Sequence, residues 1–261
     1  MPPSKYETLV HILDQLRKEA PQEYKGYHVL EDDTEKLNQA RSRTYIHLFL
    51  KVRFGLLDFK EREYLITDKS QDGGIDGYYI NEDLKTVFLI QSKFRTTSIN
   101  FQEREILFDE LLRMDVSRIT EGEDADEDGI PYNGKIKQLQ RDISNIPDIG
   151  RYKYEVIVLA NLKDCKANNL RKLTGGFSVT VFDYGKTYSD LVFPVVSGTY
   201  YNEKELCIRL NLSNTKLSSS RISYTVNTKF KPCDISLVFV PTSEIGKILY
   251  KYKKFYFALQ P

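Results

Sequence analysis

"SQDGGIDGYYINEDLKTVFLIQSKF", residues 70–94, is the stretch on which the fold turns. The run from Val87 to Ile90 is apolar on both faces, as a central strand covered on each side must be, and "IDGYYI" ahead of it reads as a partner strand. Residues 82–85 make an allowed four-residue hairpin loop. In that register Asn81 pairs with Thr86, Ile80 with Val87, and Asp76 falls directly opposite Gln91. Opposed residues share a sheet face at Cβ separations of roughly 4.5–5.5 Å, and Lys93, two residues beyond Gln91, belongs to that face too. A carboxylate, a carboxamide and an ammonium are thus expected in one small volume. Two readings stand: a hairpin with charged ends, or a metal site.

Working outward, "KYETLVHILDQLRKEA" places Leu9, Ile12, Leu13 and Leu16 at helical spacing and ends near Pro21. A second helix begins at Asp33 or Thr34 as N-cap and ends close to Gly55. Its apolar stripe includes Ile46, Phe49 and Leu50, and stepping back by three or four adds Ser42, Asn38 and Glu35. A carboxylate therefore lies beyond the apolar end of one helical face. Downstream, "FQEREILFDELLRMDVSRI" and "YNGKIKQLQRDISNI" are helical by pattern, with the acidic loop "EGEDADEDG" between them. "YEVIVLAN" and "FSVTVFDYG" read as strands flanking a short helix, "ANNLRKL". This alternation predicts an α/β sandwich over residues 1–185. Residues 186–261 read as a smaller, strand-rich α+β subdomain with one amphipathic terminal helix, and the apolar ending "FYFALQP" leads us to expect a fragment of something longer.

A chain of 261 residues with 41% apolar and 29% charged side chains can bury a proper core, which excludes a disordered or fibrous class. The formal net charge of +1 means that nucleic-acid binding must come from a local patch. No stretch approaches about 18 consecutive apolar residues, and no signal peptide is recognisable, so no membrane partner is expected. Three cysteines, Cys165, Cys207 and Cys233, lack metal-type spacing and read as reduced core residues of a cytoplasmic protein.

A magnesium-type ion takes hard oxygen ligands at roughly 2.0–2.1 Å, from one or two carboxylates plus water and phosphate. Asp76 and the side-chain carbonyl of Gln91 can supply two of these, and the main-chain carbonyl of Ser92 a third. Phosphodiester hydrolysis needs a nucleophilic water and neutralisation of charge on the phosphoryl group, for which Lys93 is suited. Gly73, Gly74 and Gly77 leave room for close backbone approach.

The order Asp76, hairpin, Gln91-x-Lys93 resembles the PD-(D/E)xK nuclease superfamily in its D…QxK variant, as in Mrr-like restriction enzymes. More narrowly, "DGGIDGYYI…VFLIQSKF" with the late "VFVPTSEIGKILYKYKKFYF" is similar to the N-terminal part of abortive-infection phage-resistance (AIPR) proteins. The resemblance runs from about residue 30 to the end. It implies a restriction-endonuclease-like αβββαβ sandwich with a central mixed sheet, and an Mg²⁺-dependent endonuclease, with Mn²⁺ able to stand in, acting on DNA in antiphage defence. It also implies Asp76, Gln91 and Lys93 in the metal and catalytic positions, an acidic residue from the preceding helix, for which Glu35 is the candidate by helical phase, and a homodimer or a defence-system partner protein. Gln91 stands where an acidic residue usually sits, and a neutral oxygen lowers cation affinity by removing one charge. RNA as substrate, and a catalytically inactive nucleic-acid-binding or assembly module, are the alternatives.

Weaker signals complete the reading. Arg95, Lys135, Lys137 and Arg141 could track phosphates. Asp124, Asp126, Asp128 and Gly129 begin like a calcium loop, but Lys135 occupies the position of the bidentate Glu, so a solvated loop is expected. His11, His28 and His47 have no partner spacing and receive no role.

Overall fold

The computed structural model describes residues 4–30, 32–94, 97–99, 111, 113–162 and 166–196, together with 222–227, 232–237, 242, 243 and 246. The chain forms two compact units, Met1–Asn202 and Glu203–Pro261.

The first unit is an α/β arrangement built on a four-stranded mixed sheet in sequence order. Helix α1 (Lys5–Arg17) opens with a capping box in which Glu7 and Ser4 bond each other's amide. Helix α2 (Thr34–Phe54) is N-capped by Asp33 and stopped by Gly55 at φ 69°, as the cap residues predict. A short helix α3 (Phe59–Tyr64) leads to residues 65–67, which bridge antiparallel to the first strand at Ile66 and Gly77. Strands β1 (Gly77–Asn81) and β2 (Thr86–Ser92) form the antiparallel hairpin, and β3 (Lys153–Leu159) and β4 (Ser178–Phe182) add in parallel. All seven residues of β2 are buried, as a strand covered on both faces requires.

Between β2 and β3 lie α4 (Val116–Thr120) and α5 (Gly134–Ser144), and between β3 and β4 lies α6 (Ala167–Leu173). Most of the helix expected over residues 101–119 falls outside the described residues. Its end is not continuous: the amides of Met114 and Asp115 bond the carbonyls of Leu173 and Gly73, and Asp115 begins a new helix. Tertiary bonds there override the local helical pattern.

One sheet face packs on α1 and α2 through Phe88, Ile90, Ile46 and Phe49. The other packs on α4 and α5 through Val87, Leu89, Ile119 and Ile136. Leu191 and Val192, in the helical segment 184–196, are buried in the first of these cores, so the first unit runs past residue 185, where the pattern placed its end. Among the described residues of the second unit, β5 (Ile222–Asn227) and β6 (Pro232–Leu237) pair antiparallel. The expected terminal helix lies mostly outside the described residues, as do Cys165 and Cys207; Cys233 lies in β6. Among the described residues no helix is long and apolar enough to cross a membrane.

Candidate functional site

The hairpin register is the one the sequence sets out: Asn81 pairs with Thr86, Ile80 with Val87 and Gly77 with Ile90. One residue earlier, the Asp76 amide donates to the Ile90 carbonyl at 2.8 Å. Asp76 turns its carboxylate over the strand end, where Oδ2 accepts the Ser92 amide at 2.6 Å. Gln91 engages the glycine loop with one end of its carboxamide: its Nε2 donates to the Gly74 carbonyl at 2.9 Å. Both residues border the same cleft, with the Gln91 amide nitrogen tied to the glycine loop.

That loop gathers a set of carboxylates the sequence reading missed. The amides of Thr67 and Asp68 both donate to the Asp76 carbonyl, at 3.0 and 3.2 Å, which folds the chain back on itself. Asp72 Oδ1 accepts the Gly74 amide at 2.9 Å, and Gly74 sits at φ 73°. A Cβ on Gly74 would stand 2.7 Å from the Arg113 carbonyl, so only glycine fits the turn. Asn133, the cap of α5, holds the outside of the loop through the carbonyls of Ser70 and Gln71. The result brings carboxylate oxygens of Asp68, Asp72 and Asp76 within 4.8 Å of one another. The trans ligands of a cation at about 2.1 Å span about 4.2 Å, so a small closure would complete a ligand set. The regular four-residue spacing of Asp68, Asp72 and Asp76 in a glycine-rich stretch is the signal that could have found them.

A cleft of about 440 Å³ opens over these groups, lined also by Glu35, Asn38, Ser42, Ile46, Gln91 and Lys93. The helical phase therefore carries: Glu35, Asn38, Ser42 and Ile46 all line the same cavity. Gly77 lets α2 approach, since a Cβ there would meet Ile46 Cγ2 at 3.1 Å. Lys93 is held from both sides. Its amide donates to the Leu159 carbonyl at 3.0 Å, and the neighbouring Phe94 ring packs on Tyr6 and Tyr45.

Electrostatics in the cleft run against ionisation. Burial pushes the Asp72 carboxyl up to about 6, helped by the charge of Asp68 and opposed by the Gly74 amide. Asp76 is raised well above the ordinary carboxylate range, first by burial and then by Asp68 and Asp72, while the Ser92 amide and the Lys93 ammonium pull it down. Arg43 binds Asp68 through Nε at 2.8 Å and its carbonyl through Nη2 at 3.1 Å. Ser92 Oγ is buried with no hydrogen-bond partner among the described residues.

Of the other expected residues, Ser92 and Gln91 line this cleft and the basic ones do not. Ser92 meets Asp76 with its amide; its carbonyl lies on the same strand edge, because both polar groups of a strand residue point one way. Gln91 is 3% exposed and clamps the loop. Gln91→Glu is therefore expected to replace a donor with an acceptor against the Gly74 carbonyl and to destabilise the fold by about 1–3 kcal/mol in urea unfolding. Lys135 Nζ bonds the Tyr64 carbonyl at 3.0 Å and lies over the Tyr64 ring. Lys137 and Arg141 line a separate shallow cleft with Asp124, and Arg95 lies outside the described residues. Asp126 caps its own turn by accepting the amides of Asp128 and Ile130, as a solvated acidic loop does. His47, given no role from sequence, is buried beside Tyr27, Arg62 and Glu63.

No family model, curated protein or solved structure matches the chain.

Proposed function

We propose that this cleft binds a divalent cation, Mg²⁺ or Mn²⁺, and hydrolyses phosphodiester bonds in nucleic acid, with DNA as the first substrate. The observation that carries the proposal is the meeting of three carboxylates with Lys93 in a single cleft at the end of a buried strand. Asp76, Asp72 and Asp68 would hold the cation, whose positive charge offsets the cost that burial and mutual repulsion impose on their ionisation. When bound, such a cation polarises phosphoryl oxygens and lowers the pKa of water. Lys93, close enough to Asp76 to depress its pKa, is placed to bind a phosphate oxygen and neutralise developing charge. Glu35, exposed in the first turn of α2, stands at the cleft wall where it can accept a proton from an entering water. The buried Ser92 hydroxyl beside them has its hydrogen-bonding capacity to offer a ligand.

A restriction-endonuclease-like core is part of this proposal. Its support is the order helix, bridge at residues 65–67, β1, β2, helix, β3, in which the first strand of an αβββαβ core is reduced to one bridge. A role in antiphage defence rests on the resemblance of residues 70–94 and of the late lysine-rich stretch. The test is incubation of labelled DNA and RNA with Mg²⁺ or Mn²⁺. Lys93→Ala is expected to cut about 10²–10³-fold more slowly while keeping the cation-induced thermal shift; an unchanged cleavage rate in the variant, or no cleavage by wild type with either ion, overturns the reading.

The pH dependence follows from the raised carboxyls. A cation needs them deprotonated, so protons compete below about pH 6, the value for Asp72. Without cation, a raised folded-state pKa lowers stability as pH climbs from the unfolded carboxylate value through the folded one. The stabilisation by Mg²⁺, read as a melting shift, is expected to be larger at pH 8 than at pH 5. An equal shift at both pH values contradicts this.

A further inference from the structure

A second cleft of about 440 Å³ adjoins the first and shares Asp68 with it. Its charge is opposite. Lys25, Arg43, Lys60, Lys69 and Lys135 line it against the carboxylates of Glu63 and Asp68. Both carboxylates are already engaged, Glu63 by Tyr27 and His47 and Asp68 by Arg43, so their charge is partly offset before any ligand arrives. Arg43 and Lys135 are anchored, Lys135 on the carbonyls at the end of α3. Lys25, Lys60 and Lys69 are exposed, and Lys60 makes a solvent-exposed pair with Glu23 at 3.4 Å. Tyr64, 48% exposed, adds an aromatic surface to the wall.

We propose that this second cleft holds the phosphate backbone of a single nucleic-acid strand next to the bond presented to the carboxylates. The inference deepens the nuclease reading of the first cleft and rests on it for the course of the strand. Two contiguous clefts, one suited to a cation and one to anions, meeting at a single aspartate, match a polyanion with one phosphate at the acidic end and its neighbours at the basic end. Cations interleaved with an exposed tyrosine are the recognition chemistry of single strands, in which phosphates meet lysine and arginine and bases stack on rings. The cavity is of the size that encloses a drug-sized ligand, which corresponds to about one or two nucleotides of one strand.

The test is fluorescence anisotropy of short labelled single-stranded DNA and RNA on the full chain in EDTA, where binding is read without cleavage. Lys60→Ala with Lys69→Ala is expected to weaken binding about tenfold at low salt and to reduce the slope of log K against log salt by about 1.4. Tyr64→Ala is expected to weaken nucleic acid but not a polyglutamate of equal charge, whereas Lys137→Ala, on the separate cleft, binds as wild type. Wild type that binds neither nucleic acid, or a double variant with unchanged affinity and salt slope, overturns the proposal, as does polyglutamate bound as tightly as nucleic acid. Binding lost in the double variant, with no hydrolysis by wild type in any cation, would keep this proposal and sink the nuclease reading. Cation-dependent cleavage with binding unmoved in the variants would do the reverse.

Discussion

Asp76→Asn is expected to abolish cation-dependent cleavage and, in EDTA at pH 8, to melt at a higher temperature than wild type. Both outcomes have one cause. The Asp76 carboxyl is raised well above its ordinary range by burial, then by Asp68 and Asp72, so its ionised form costs free energy in the fold and little in the unfolded chain. That penalty is absent below the unfolded value of about 4, grows as pH rises through the folded value, and is complete above it. The amide side chain removes the charge yet keeps an oxygen for the Ser92 amide. The variant's advantage should therefore vanish near pH 4. With cation at about 100 times its Kd, wild type gains about 2.7 kcal/mol by mass action, and the variant should gain close to nothing. Cleavage should fall by at least about 10²–10³-fold. A carboxylate that destabilises its own fold is the trade expected of a proposed cation site. An Asp76→Asn variant less stable than wild type at pH 8 in EDTA would show that the carboxylate serves the fold instead.

The second large effect is on stability. Arg62→Met is expected to lower the unfolding free energy by about 3–5 kcal/mol, a fall in melting temperature of roughly 6–20 °C for a unit of this size. Arg62 is fully buried. Its Nη1 donates to the carbonyls of Leu56 and Leu57 at 2.8 Å, Nη2 to Glu19 at 2.5 Å, and Nε to His47 Nδ1 at 3.1 Å. Because His47 Nδ1 accepts, the ring proton sits on Nε2, facing Tyr27 at 2.9 Å and Glu63 at 3.2 Å. Burial, with Arg62 beside it, holds the His47 pKa below its usual value, so the ring is neutral at pH 7. Methionine matches much of the volume but leaves two carbonyls, a histidine nitrogen and Glu19 Oε2 without their donor, while Lys51 stays on Glu19 Oε1. The effect reaches the cleft, because Arg62 fixes α3 and the chain runs from α3 to Asp68. A loss below about 1 kcal/mol in urea unfolding would mean that the network relaxes around the change.

The parts of the fold legible in the sequence are those fixed by local periodicity. The hairpin register followed from loop length and alternation, and Glu35 reached the cleft because helical phase extends unbroken from Ile46. Asp33, Asn133 and Gly55 act as the caps their residue types suggest. What escaped is set by contacts distant in sequence. Asp68 and Asp72 join Asp76 only because Thr67 and Asp68 fold back onto the Asp76 carbonyl and Asn133 braces the loop from outside. Gln91 lines the cleft as its place on the strand suggests, but alternation cannot show that its amide nitrogen would be taken by the Gly74 carbonyl. Arg62, within "FKEREY", carries no sign of burial in a segment so charged.

The most direct measurement is anomalous diffraction from crystals grown at pH 8 and soaked in Mn²⁺, for wild type and Asp76→Asn. A divalent-cation hydrolase site predicts a peak about 2.1 Å from the carboxylate oxygens of Asp76 and Asp72, with Asp68 at the same centre and no peak in the variant. A wild-type cleft without a peak, with Arg43 still closed on Asp68, would contradict it.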